Sequence, residues 1–219
     1  MKQNALFVKG HNTFGRDNYN EIEEFMNERK TYIDYSLEED ILQVYNRMCK
    51  KIKRKKFDYL IGHSMGGCLL YHYISKHPNT IHKFKQCILL MPLVSKDTII
   101  NIITKIPGID KISLPKPLIY PKNYLYNGGN IWNETELTKL IPVKQICECY
   151  QLLDDNFQNI LNQHPNCVLF YASEEKFATI SPNLLGQLDN WRIVDGKHEC
   201  YKDPEKASSF FKALILYLV

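Results

Sequence analysis

Leu60-Ile61-Gly62-His63-Ser64-Met65-Gly66-Gly67 joins an apolar run to a helix-like one. Glycine makes up only 10 of the 219 residues, yet three glycines fall within these positions around one serine. A chain that turns sharply from strand to helix strains the residue at the tip. The flanking positions must then be small, so that strand and helix can approach each other. Gly62 and Gly66 stand two residues either side of Ser64 and meet that need. Such a turn lifts the Ser64 hydroxyl above the sheet. It also sets the Met65 amide at the start of a helix, whose dipole favours developing negative charge. The competing reading is a glycine-rich turn with a bystander serine, and the rest of the chain has to decide.

Working upstream, Phe57 to Ile61 reads as the strand that feeds the turn. Before it, Ile41, Tyr45, Met48 and Ile52 form one apolar helical stripe. Ser36-Leu37-Glu38-Glu39 reads as its capping box. The helix ends in the basic run Lys50 to Lys56, which complements the helix dipole and is read as a solvated end. A weak contact with an anionic membrane or nucleic acid is the alternative for that run. Ala5 to Val8 is a short buried strand running into Gly10-His11-Asn12-Thr13-Phe14-Gly15. Tyr19 to Asn27 is helix-like, and Thr31 to Tyr35 alternates like a strand.

Downstream, a helix from Met65 stops near His77-Pro78, and Cys87 to Met91 is the next strand. Cys167 to Tyr171 and Trp191 to Asp195 are two more, and Asp203-Pro204-Glu205 opens a final helix. This alternation of strands and helices predicts a parallel sheet with crossover helices. Between Leu93 and Gln163 the rhythm changes. Apolar helical segments at 99–106, 134–141 and 143–161 are separated by a loop punctuated by Pro107, Pro115, Pro117 and Pro121.

The totals narrow the class. A hydrophobic share of 44% and a charged share of 24% are those of an ordinary globular protein. A net charge of +4 does not by itself argue for nucleic acid. Seven scattered cysteines, an odd number, argue against a secreted disulfide framework. No apolar stretch is long enough to span a membrane, and the N-terminal apolar run is too short for a signal peptide. A cytoplasmic chain is therefore expected.

The form Gly62-His63-Ser64-Met65-Gly66-Gly67 resembles the nucleophile elbow of the α/β-hydrolase superfamily, most closely its esterases and monoglyceride-lipase-type members. That resemblance implies a compact α/β-hydrolase fold, with a mostly parallel sheet of about six strands flanked by helices. Residues 1–92 and 164–219 would form the core, and 93–163 a helical cap or lid insertion. The cap's alternative is a helical layer that only packs on the sheet.

Within the resemblance Ser64 is the nucleophile. Glu175 falls at the position of the triad acid, with Glu174 and the more distant Asp97 as alternatives. His198, in the loop after the last strand, is the catalytic histidine. The order Ser64, Glu175, His198 is the one the superfamily uses. The oxyanion amides would be those of Met65 and His11, with Asn12 as the alternative to His11. Here Lys9-Gly10-His11 stands where the family often has His-Gly-x. The implied activity is hydrolysis of a carboxylic ester, acylglycerol- or lipid-like, through an acyl-enzyme. A thioesterase, a small-peptide hydrolase or a silent fold used as a binding module are the alternatives. No metal or organic cofactor and no nucleic-acid partner are expected. The expected partner is a small ester or lipid-like substrate, with weak peripheral membrane contact as a further option.

Overall fold

The computed structural model describes residues 4–10, 29–94, 102, 104–115, 140–153, 156–176, 178–203 and 205–218. Six strands form one sheet: β1 (Asn4–Val8), β2 (Arg29–Ile33), β3 (Tyr59–His63), β4 (Gln86–Leu90), then, after a separate pair, β7 (Cys167–Ala172) and β8 (Trp191–Val194). Their spatial order is β2-β1-β3-β4-β7-β8, and every pairing is parallel. The separate pair, β5 (Ser113–Pro115) and β6 (Leu140–Pro142), is antiparallel. Among the described residues the α-helices are α1 (Ile41–Arg54), α2 (Met65–Lys76), α3 (Lys144–Leu152), α4 (Phe157–Asn162), α5 (Pro182–Leu185) and α6 (Ala207–Ile215).

Parallel strands with helices on both faces are buried on both sides and read as continuous apolar runs. β3 is buried at all five positions, as are the last four residues of β1 and of β4. Alternate residues feed two cores, because side chains switch face at each step along a strand. Leu6, Val8, Leu60, Leu89 and Leu169 join Ile41, Val44, Met48, Leu69 and Ile146 on one face. Ala5, Phe7, Ile61, Ile88 and Phe170 join Tyr201, Phe210 and Leu214 on the other.

Two expectations shift. The Ser36–Glu39 motif forms a turn ahead of α1: Glu39 Oε1 accepts from the Ser36 N–H at 2.7 Å, and the Glu39 N–H donates to the Ser36 carbonyl. The cap itself is Asp40, whose Oδ1 accepts from the N–H groups of Leu42 and Gln43. Leu140 and Ile141, read as the end of a helix, belong to strand β6, paired with Ser113 to Pro115.

Of the span 93–163, α3 and α4 put Ile146, Cys149, Tyr150, Phe157 and Leu161 into the same core cluster as α1 and α2. Gln145, fully buried, donates through Nε2 to the carbonyls of Ser36 and Glu39, and Glu148 accepts from the Ile41 N–H. The helix-like segment at 19–27, half of that at 99–106 and residues 134–139 of that at 134–141 lie outside the described residues. Among the described residues no helix is long and apolar enough to cross a membrane.

Candidate active site

The strand order reverses direction of growth between β1 and β3, so their carboxyl ends border the crevice where open α/β sheets place ligands. Ser64 sits there, between β3 and α2, with φ 54° and ψ −117°. An L-residue reaches that region only under strain, and a well-determined surround has to hold it. Its N–H donates to the Leu90 carbonyl at 2.9 Å, and its carbonyl accepts from the N–H groups of Cys68 and Leu93, each at 3.1 Å.

The flanking glycines are explained by contact. A Cβ at Gly66 would lie 2.1 Å from the Val8 carbonyl oxygen, and one at Gly62 would lie 2.6 Å from that of Gly66. α2 therefore leans directly on the ends of β1 and β3. Met65 is the first residue of α2, where opening N–H groups have no intrahelical acceptor and the helix dipole is positive.

The loop after β1 reaches the same point. A Cβ at Gly10 would stand 3.2 Å from the Ser64 Cβ and 3.1 Å from His63 Nδ1. His11 and Asn12, the two expected oxyanion donors that follow, lie outside the described residues, as does Asp97.

Glu175 and His198 follow the carboxyl ends of β7 and β8, on the same edge of the sheet as Ser64. His198 Nδ1 lies 2.7 Å from Glu175 Oε2, and both residues are buried. The other carboxylate oxygen, Oε1, accepts from the Ala178 N–H at 2.8 Å. A carboxylate only accepts, so Nδ1 carries the proton and Nε2 is left as the basic nitrogen. Burial disfavours the charged imidazole of His198, but the Glu175 carboxylate outweighs it through charge and hydrogen bond, and the pKa stands above the usual histidine value. Glu174 is exposed, and its N–H donates to the Gly196 carbonyl.

His63 joins these parts. It is 1% exposed, its Nε2 lies 3.4 Å from the His198 carbonyl, and its ring stands 5.1 Å from that of His198 and 5.5 Å from that of Tyr201. Burial drives its pKa well below the usual value, with the nearby His198 adding to the effect, so it is neutral. The available signal was a polar residue closing a wholly buried strand next to the candidate nucleophile. Cys200, in the same loop as His198, is fully buried. Burial first, and then the charge of Glu175, push its thiol up to about 12, so it is a protonated thiol at neutral pH.

Comparison with known proteins agrees with this architecture. A family model described as the alpha/beta hydrolase fold matches residues 10–105. No curated protein is significantly similar in sequence. Among solved structures, MGS-M2, an alpha/beta hydrolase enzyme from a Medee basin deep-sea metagenome library, superposes with a TM-score of 0.63 at 11% identity, over 99% of this chain and 89% of that one. The type II thioesterase BorB from the borrelidin biosynthetic cluster gives 0.61 at 11% identity, over 99% and 93%. A structure from the work on LipS and LipT, two metagenome-derived lipolytic enzymes, gives 0.60 at 12% identity, over 99% and 94%. At such identities the likeness is one of fold. With the elbow, the strand order and these superpositions together, the chain is an α/β-hydrolase-fold protein.

Proposed function

We propose that this protein is a serine hydrolase that cleaves carboxylic esters through an acyl-enzyme on Ser64. The observation that carries the reading is the buried Glu175–His198 pair, 2.7 Å apart on the strand edge that also bears the strained Ser64. His198 takes the Ser64 proton through Nε2 as the hydroxyl oxygen attacks the ester carbonyl. Glu175 holds the imidazole in the right tautomer and stabilises it when charged. The Met65 amide, with an amide of the loop after Gly10 (His11 in the family pattern), receives the charge on the tetrahedral oxygen. His198 then protonates the leaving alcohol, and water, deprotonated by His198, releases the acid and restores Ser64.

An acyl, lipid-like substrate suits the reading, with part of 93–163 acting as a cap over the serine. Thioesters belong to the same test, because BorB, a thioesterase, shares the fold. The deciding experiment treats wild type and Ser64→Ala with a fluorophosphonate and reads intact mass. One adduct on wild type alone is expected. No adduct on folded wild type, or an equal adduct on the variant, would remove the serine mechanism. Esters and thioesters of graded chain length would then assign the substrate.

A further inference from the structure

At the opposite edge of the sheet, a cavity of about 550 Å³ is lined by Asn4, Lys30, Thr31, Lys55, Lys56 and Phe57. These residues come from the start of β1, the start of β2 and the turn between α1 and β3. Among the described lining residues three are lysines and none is acidic. The nearest acid in sequence, Asp58, already accepts from the Asn4 N–H through Oδ2 at 2.9 Å.

Positive charge accumulates behind the cavity. α1 ends with Lys51, Lys53 and Arg54 in its last turn. Burial lowers the pKa of Lys51, and the charges of Lys55 and Arg47 lower it further. Lys51 is itself directed to the Tyr32 carbonyl at 2.6 Å. The basic run could be read from sequence as a solvated helix end. The concave site that gathers its last two lysines with Lys30, from a different strand, could not.

We propose that this cavity binds a small soluble anion bearing one or more phosphate groups. The ammonium groups of Lys55 and Lys56 supply charge-assisted hydrogen bonds, Lys30 adds positive charge beside them, and Asn4 and Thr31 supply neutral hydrogen bonds. Its volume is that of a small-molecule site. A membrane is the poorer occupant. Ser64, Glu175 and His198 follow the carboxyl ends of the strands, while the cavity lies at the amino ends, about 16 Å away along a five-residue strand. A bilayer docked on the cavity would hold the hydrolytic site on its far side. A nucleic acid is also the poorer occupant, because among the described lining residues the one aromatic, Phe57, is buried and offers no face for base stacking.

The test is calorimetric titration of the full chain with sodium pyrophosphate at low ionic strength. Binding by wild type is expected. Lys55→Gln/Lys56→Gln should weaken it by about tenfold or more, as loss of two charge-assisted bonds requires. Lys50→Gln/Lys53→Gln removes the same charge from the adjoining helix α1, outside the cavity, and should change affinity by no more than about twofold. Unchanged thermal midpoints would show that both double variants are folded. Absence of binding by wild type would overturn the site. Equal losses in the two pairs would replace it with a diffuse basic surface. Lys55- and Lys56-dependent pelleting with phosphatidylserine-containing vesicles, without pyrophosphate binding, would assign the surface to lipid headgroups instead.

Discussion

Ser64 occupies backbone space that costs an L-residue about 1–3 kcal/mol. Three backbone hydrogen bonds hold it there, to Leu90, Cys68 and Leu93. Glycine pays no such penalty at φ 54°. Ser64→Gly should therefore be more stable than Ser64→Ala by about 1 kcal/mol in urea denaturation, with both inactive. Equal stabilities would mean that the turn is not strained. Glu175→Gln should lower kcat by about 10³- to 10⁴-fold. Glu174→Gln, at an exposed position, should leave it nearly unchanged.

The pH dependence of His198 follows from its raised pKa. The general base must be neutral, so the rate should climb with pH through an apparent pKa above the ordinary 6.5. The folded protein holds that proton more tightly than the unfolded chain. The stability it contributes is thus complete below about 6.5 and is lost as pH rises through the folded pKa. In Glu175→Gln burial acts without the opposing carboxylate, and the pKa should fall. NMR titration of the imidazole would check the direction.

At the scale of elements, α2 meets β1 so closely that Gly66 has no room for a methyl group. A Cβ there would stand 2.1 Å from the Val8 oxygen and 2.4 Å from the Lys9 oxygen, both backbone atoms. Gly66→Ala should destabilise by about 2–4 kcal/mol or prevent folding, because helix and strand must separate. Gly186, with ordinary helical φ of −64° and a nearest contact at 3.4 Å, tests the opposite sign. Gly186→Ala should stabilise by about 0.4–1 kcal/mol by restricting the unfolded chain. Paired urea curves would read both. At α1, Asp40→Ala should cost about 1 kcal/mol for the lost cap, and Ser36→Ala much less, since Ser36 serves the preceding turn through its backbone.

For the whole molecule, the second core ties stability to the candidate site. Phe210 of α6 is fully buried, with its ring 6.2 Å from Phe170 and 5.8 Å from Tyr201. Tyr201 in turn faces His63, which faces His198. Phe210→Ala should lower unfolding free energy by about 3–5 kcal/mol. It should also reduce fluorophosphonate labelling per folded molecule, because the His198 loop rests on that stack. Labelling at the wild-type rate in the folded fraction would separate core from site.

Sequence alone determined the six strands of the main sheet and their class, but not the β5–β6 pair. Short apolar runs alternating with helix-like stripes predict a parallel sheet, since strands buried on both faces read as continuous apolar runs. The glycine spacing around Ser64 marks the sharp turn, because close backbone approach excludes side chains. Tertiary structure alone decided which distant groups meet. Sequence placed Glu175 at the acid position with its neighbour Glu174 as the alternative, and the contact with His198 that separates them arises only once β7 and β8 are neighbours. His63 touches His198 across 135 residues of chain, and Lys30 shares a cavity with Lys55 and Lys56. Local preference reaches a few residues along the chain, whereas these contacts arise from the order in which strands pair.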